Sequence, residues 1–182
     1  MIRSWVVLFL ALVPAVVCAA QTPQSTSSGA DTSTVVGSVV GTWTLTAAER
    51  LLPDGTRIAD YGPSPHGLVI FTADGYYSVQ IYRAERRRFS SGDKLKGTPE
   101  EYKEASLGMN VHFGRYTVDP AKGTITFHID RASFPKWDDT TQVRAYDLKG
   151  DELSWKVPPR PDGSIPVTRL RRVRQEESGG RR

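Results

Sequence analysis

From Gly41 onward the chain alternates apolar and polar residues in short runs, separated by Asp54-Gly55, Asp74-Gly75, Lys122-Gly123, Lys149-Gly150 and Asp162-Gly163. A period of two is that of a strand with one face buried, and glycine after Asp or Lys accepts the positive φ of a tight hairpin at little cost. The pattern predicts eight strands, over 41–49, 67–72, 76–82, 112–119, 123–131, 140–148, 151–156 and 166–173. Their short connections make them mostly antiparallel. One helix interrupts the series. Thr98 is its N-cap, Pro99 takes the first position, Glu100 and Glu101 favour the positive end of the dipole, and Tyr102, Ala105 and Met109 recur at helical spacing.

The predicted fold is therefore all-β, an eight-stranded antiparallel up-and-down barrel with one short α-helix. Closure removes exposed strand edges, and at this strand number the interior has room for one small ligand. A β-sandwich is the structural alternative.

Upstream, the pattern changes. Met1 to Ser4 form a short positive region, Trp5 to Val17 are apolar, and Cys18, Ala19 and Ala20 are small. Residues 1–20 read as a signal peptide cut after Ala20, because an apolar run of about 13 residues falls short of the roughly 20 that span a bilayer. The expected location is exported, either periplasmic or secreted. Lipidation at Cys18 is the weaker reading, since Val17 stands where the lipoprotein cleavage pattern takes Gly, Ala or Ser. Loss of Cys18 with the leader removes the single cysteine, and with it disulfides, thiolate nucleophiles and thiolate metal ligands. Residues 21–38, rich in Ser, Thr, Gly and Gln, form a flexible linker, 39–173 the folded domain, and 174–182 a basic tail.

The net charge of +4 would suggest a nucleic-acid partner if it lay on the fold. It does not, because Val39 to Thr168 hold seventeen basic and seventeen acidic residues, and the excess belongs to Arg3 and to the arginines from Arg169 to Arg182. No nucleic-acid partner is expected. The arginine tail leaves open an envelope-associated interaction domain that makes weak contact with an anionic surface. Arg83, Glu85, Arg86, Arg87 and Arg88 form either a basic rim or a solvated, locally paired loop.

Several segments carry a family likeness. Gly41-Thr42-Trp43 opens the first strand like the lipocalin Gly-x-Trp signature, and Arg172 is placed like the arginine that packs over that tryptophan. Tyr61 to Gly67, Phe71 to Gln80, Arg87 to Asp93, Thr98 to Tyr102, His112 to Asp119, Phe134 to Trp137 and Gln142 to Tyr146 add a longer match. Over about Val39 to Val173 the chain resembles the bacterial and fungal lipocalin-like domain family. The resemblance implies a calyx barrel and allows a small-molecule cyclase or isomerase. The chain departs from the pattern in Phe127 before His128, where a histidine pair is common, and in its arginine-rich last strand.

Little in the chain suggests covalent chemistry. There is no phosphate-binding glycine loop, and Gly62 to Gly67 is one residue too long for a nucleophile elbow, with prolines on both sides of its serine. His66, His112 and His128 are too far apart for a local metal motif, so neither a metal nor a cofactor is expected. Alternation puts His112, Gly114, Tyr116 and Val118 on one face, Thr124, Thr126, His128 and Asp130 on one face of the next strand, and Gln142, Arg144 and Tyr146 together further on. If these faces point inward, the ligand-binding residues are Trp43, Phe71, Tyr77, Tyr116, His128, Phe134, Trp137 and Arg144. They suit a small apolar or amphipathic molecule with one anionic or carbonyl group, bound by a monomer. The opposite orientation, with Ile125, Phe127 and Ile129 inward, stays open. In the enzymatic alternative, Tyr116 or His128 transfers a proton while Arg144 polarises a carbonyl.

Overall fold

The computed structural model describes residues 39–174. The expected leader, linker and most of the basic tail lie outside the described residues.

The strands are β1 (Gly41–Leu51), β2 (Arg57–Ala59), β3 (His66–Phe71), β4 (Tyr76–Tyr82), β5 (Met109–Asp119), β6 (Thr124–Ala132), β7 (Thr140–Lys149), β8 (Glu152–Lys156) and β9 (Ile165–Arg172), with one α-helix, α1 (Pro99–Leu107), before β5. β1 and β3 to β9 pair in order, every neighbour antiparallel, and β1 meets β9 to close an eight-stranded barrel. The predicted fold class is the observed one. β2, an added three-residue strand on Glu49–Leu51, was not anticipated, because all three of its residues are exposed and carry no alternation. α1 has the expected N-terminus, with Thr98 Oγ1 accepting from Glu101 N and Glu101 accepting from Thr98 N. It is shorter than predicted, since Met109 already opens β5.

Connection length distinguishes the two ends of the barrel. The turns at Gly75, Gly123 and Gly150 join consecutive strands at one end, and each of these glycines has positive φ. At that end Trp43 is fully buried and its Nε1 donates to the Val39 carbonyl at 2.9 Å. The Arg172 guanidinium lies 4.1 Å from the centroid of the Trp43 ring, and its Nη1 donates to the Val40 carbonyl at 2.7 Å. A Cβ on Gly41 would stand 3.0 Å from that same Nη1. The Gly-x-Trp signature is thus a plug in which glycine makes room for the cation that covers the indole.

Above the plug the interior is filled by edge-on aromatic rings. Phe71 and Tyr116 have centroids 4.8 Å apart, Tyr77 and Phe127 likewise 4.8 Å, and Phe127 and Trp155 5.7 Å. These contacts, together with burial of Ile125, Ile129, Leu153 and Leu170, make the closed half a packed core. The long connections, including the segment from 83 to 108 that carries α1, gather at the other end, where the interior opens.

Candidate functional site

The open half contains a cavity of about 240 Å³. Ala48, Val79, Ile81, Trp137, Trp155 and Val167 give it an apolar wall, and Asn110, His112, Arg144 and Thr168 add polar groups. Asp60 stands at its edge in ion pairs with Arg50 at 2.6 Å and Arg160 at 3.2 Å.

β5 supplies a vertical series. Tyr116, Gly114 and His112 are buried on its inner face, as the alternation predicts, and Asn110 continues that face toward the opening. Tyr77 comes from β4, where it pairs directly with Gly114. The Tyr77 hydroxyl and His112 Nδ1 are 2.8 Å apart. Burial pushes the Tyr77 hydroxyl well above its ordinary value, so it stays protonated. Burial, reinforced by the positive charge of Arg144, lowers His112 to about 4. The imidazole is then neutral at ordinary pH, with one ring nitrogen a donor and the other an acceptor.

Arg144 comes from β7, where Gln142, Arg144, Tyr146 and Leu148 take the inner positions and Val143 faces out, half exposed. Its Nη1 reaches the Val143 carbonyl at 3.2 Å and its Nη2 donates to Gln142 Oε1. Burial lowers it to about 10, which leaves it charged at neutral pH. Among the described residues it forms no ion pair. A half-buried guanidinium with no carboxylate partner among the described residues, beside a neutral imidazole, offers donors to an oxygen acceptor in the cavity. Among the described residues no group satisfies Asn110 Oδ1, a buried acceptor.

The remaining sequence-predicted residues divide. Trp137 lines the cavity, its ring 6.3 Å from that of His112. A 3-10 turn at Pro135–Trp137 places it there, held by Thr140 Oγ1 donating to the Trp137 carbonyl at 2.6 Å and Ala132 N donating to Asp138 Oδ1 at 2.8 Å. Phe134 is 51% exposed and packs edge-on against the outer side of this turn, 5.5 Å from Trp137. Trp43 and Phe71 belong to the plug and floor, not to the cavity wall. Tyr116 points inward, but its hydroxyl donates to the Thr72 carbonyl at 2.9 Å near the closed end.

His128 is a correction. It lies on the outer face, exposed, with Nδ1 3.2 Å from Thr141 Oγ1. Ile125, Phe127 and Ile129 take the inner positions opposite Val118, Tyr116 and Gly114. Burying three large apolar side chains outweighs any gain from turning Thr124, Thr126 and His128 inward, so the expected convergence of Tyr116, His128 and Arg144 does not form. Sequence reasoning also left His112, Asn110 and Trp155 out of the site. The signal for the first was present, since His112 shares the face of Tyr116.

Among the described residues no group of three or more His, Cys, Asp or Glu side chains could hold a metal ion.

A barrel closed by eight antiparallel strands, with a tryptophan–arginine plug below an apolar cavity, defines a calyx-type protein. The model of the lipocalin-like domain family matches residues 40–173, and the chain belongs to that family. It is also similar to the 4'-hydroxy-3'-methoxypropiophenone carrier protein of Aspergillus oryzae, with 30% identity over 82 residues that span 42% of this chain and 74% of that protein.

Proposed function

We propose that this protein is an exported, monomeric carrier that holds one small, mostly apolar molecule in the open half of its barrel, and that the ligand has an aromatic body and one carbonyl or anionic oxygen. The observation that carries the reading is Arg144, a half-buried cation with no ion-pair partner among the described residues, which lines an apolar cavity together with His112. An acceptor oxygen on the ligand would supply the missing partner, and Trp137 and Trp155 would flank its rings.

Size narrows the class. At about 240 Å³ the cavity lies just below the usual range of small-molecule sites, which favours a small ligand. The relative's printed name specifies an aromatic ketone of that scale, which supports the same class here. Export rests on the leader-like residues 1–20.

Binding is favoured over acid–base catalysis by the protonation states. His112 is lowered to about 4, Tyr116 is raised to about 12, and Tyr77 is raised further, so none is poised to exchange protons near neutral pH.

Tryptophan fluorescence titration with 4'-hydroxy-3'-methoxypropiophenone, paired with native mass spectrometry, tests the reading. Saturable quenching with one molecule bound per chain is expected. A barrel that takes up neither this ketone nor any other apolar probe would contradict it.

A further inference from the structure

The connection between β4 and β5 stands at the open end and concentrates charge there. Over residues 83–96 it has six basic side chains, Arg83, Arg86, Arg87, Arg88, Lys94 and Lys96, against Glu85 and Asp93, a local net charge of +4. All six are exposed. Among the described residues only Lys96 forms an ion pair, with Asp93 at 3.6 Å. Arg86 lies 5.0 Å from the centroid of the Tyr82 ring, and Arg87 acts on the Glu101 carboxylate.

The described C-terminal arginines, Arg169 to Arg174, are differently placed. Arg169 pairs with Glu49 at 3.3 Å, Arg171 with Glu152 at 3.6 Å, and Arg174 with Asp151. Their charge is largely compensated on the barrel wall.

Apolar groups sit within the basic segment. Leu95, in the 3-10 turn Lys94–Lys96, is 89% exposed between its two lysines, and Leu107 at the end of α1 is 63% exposed. Between the segment and α1 runs a groove of about 510 Å³ floored by Phe89, Tyr102, Ala105 and Met109. Basic residues ringing an exposed leucine and an apolar groove match the boundary between lipid headgroups and acyl chains, where anionic headgroups meet the cations and the leucine leaves water. A polyanion such as duplex DNA would meet the cations but leave Leu95 hydrated. No helix among the described residues is long and apolar enough to cross a membrane, so the contact is peripheral.

We propose that the β4–β5 connection docks the open end of the barrel on an anionic phospholipid surface, with Leu95 inserted and Arg86, Arg87 and Arg88 against the headgroups. The cavity mouth then faces the bilayer, from which an apolar molecule can pass directly.

The test is cosedimentation of the full chain with vesicles of phosphatidylcholine mixed with phosphatidylglycerol, compared with the Arg86→Glu/Arg87→Glu/Arg88→Glu variant and with Leu95→Ser. All carry the same N-terminal segment, so differences between them report this surface alone. Near-UV circular dichroism confirms that the barrel is intact, as expected for exposed side chains without ion pairs. Charge reversal should weaken partition more than about tenfold, Leu95→Ser severalfold, and added salt should weaken the parent chain but not the charge-reversed one. Unchanged partition of the charge-reversed chain would overturn the proposal. So would equal loss of duplex DNA binding with no loss from vesicles.

Discussion

At the scale of single residues, His112 ties the stability of the barrel to pH. Its folded value is lowered from 6.5 to about 4 by burial and by Arg144, so between those values the unfolded chain binds a proton that the folded chain does not. The stabilisation is complete above the ordinary histidine value and is lost as pH falls toward 4. Urea unfolding from about pH 7 to about pH 4.5 should show stability declining with pH, with a shallower decline in His112→Phe. Identical slopes would show that His112 is solvated. Residue identity was unevenly legible in the sequence. Trp43 and Arg172 could be read because their partnership is local to one seam and has a signature. Arg144 could be read from its alternation with Tyr146. His128 could not be placed by its chemistry, because Ile125, Phe127 and Ile129 between the polar residues decide which way β6 faces.

At the scale of elements, the site depends on an irregularity. Phe113 pairs with Arg131 but Gly114 with Ile129, so Asp130 is an extra residue in β6 and the ladder shifts beside the cavity floor. The bulge puts Ala132, which packs against the core, opposite inward-facing His112 in place of Arg131. Gly114 is what permits it: a Cβ there would lie 2.1 Å from the His128 carbonyl oxygen and 2.8 Å from Asp130 N. Gly114→Ala should therefore cost about 3 kcal/mol or more in chemical denaturation, far above an ordinary surface substitution. A loss below about 1 kcal/mol would mean that the bulge relaxes freely. The eight barrel strands and the start of α1 were legible, because turn glycines, alternation and the Thr98 cap are local signals. The bulge and β2 were not, since neither departs from ordinary strand composition. The turn that carries Trp137 inward was equally hidden, being set by Asp138 and Thr140 contacts rather than by periodicity.

At the scale of the whole molecule, the barrel divides its interior between stability and binding. The closed half is packed with aromatic rings over the Trp43–Arg172 plug, and the open half keeps about 240 Å³ around Arg144. Charge is divided as well, with paired arginines on β9 and, among the described residues, arginines without ion pairs on the β4–β5 connection. The central claim is that Arg144 recognises an oxygen on an otherwise apolar ligand. It is tested most directly by calorimetric titration of the parent chain and Arg144→Met with an aryl ketone and with the alkylbenzene that lacks its carbonyl. A hydrogen bond to a charged group contributes about 1.5–3 kcal/mol, so the parent should prefer the ketone by at least about tenfold. Arg144→Met should abolish that preference while it leaves the barrel about as stable, because it removes a half-buried charge that has no ion-pair partner among the described residues. Equal affinity of the parent chain for the two compounds, or a ketone preference that survives in Arg144→Met, would contradict the account.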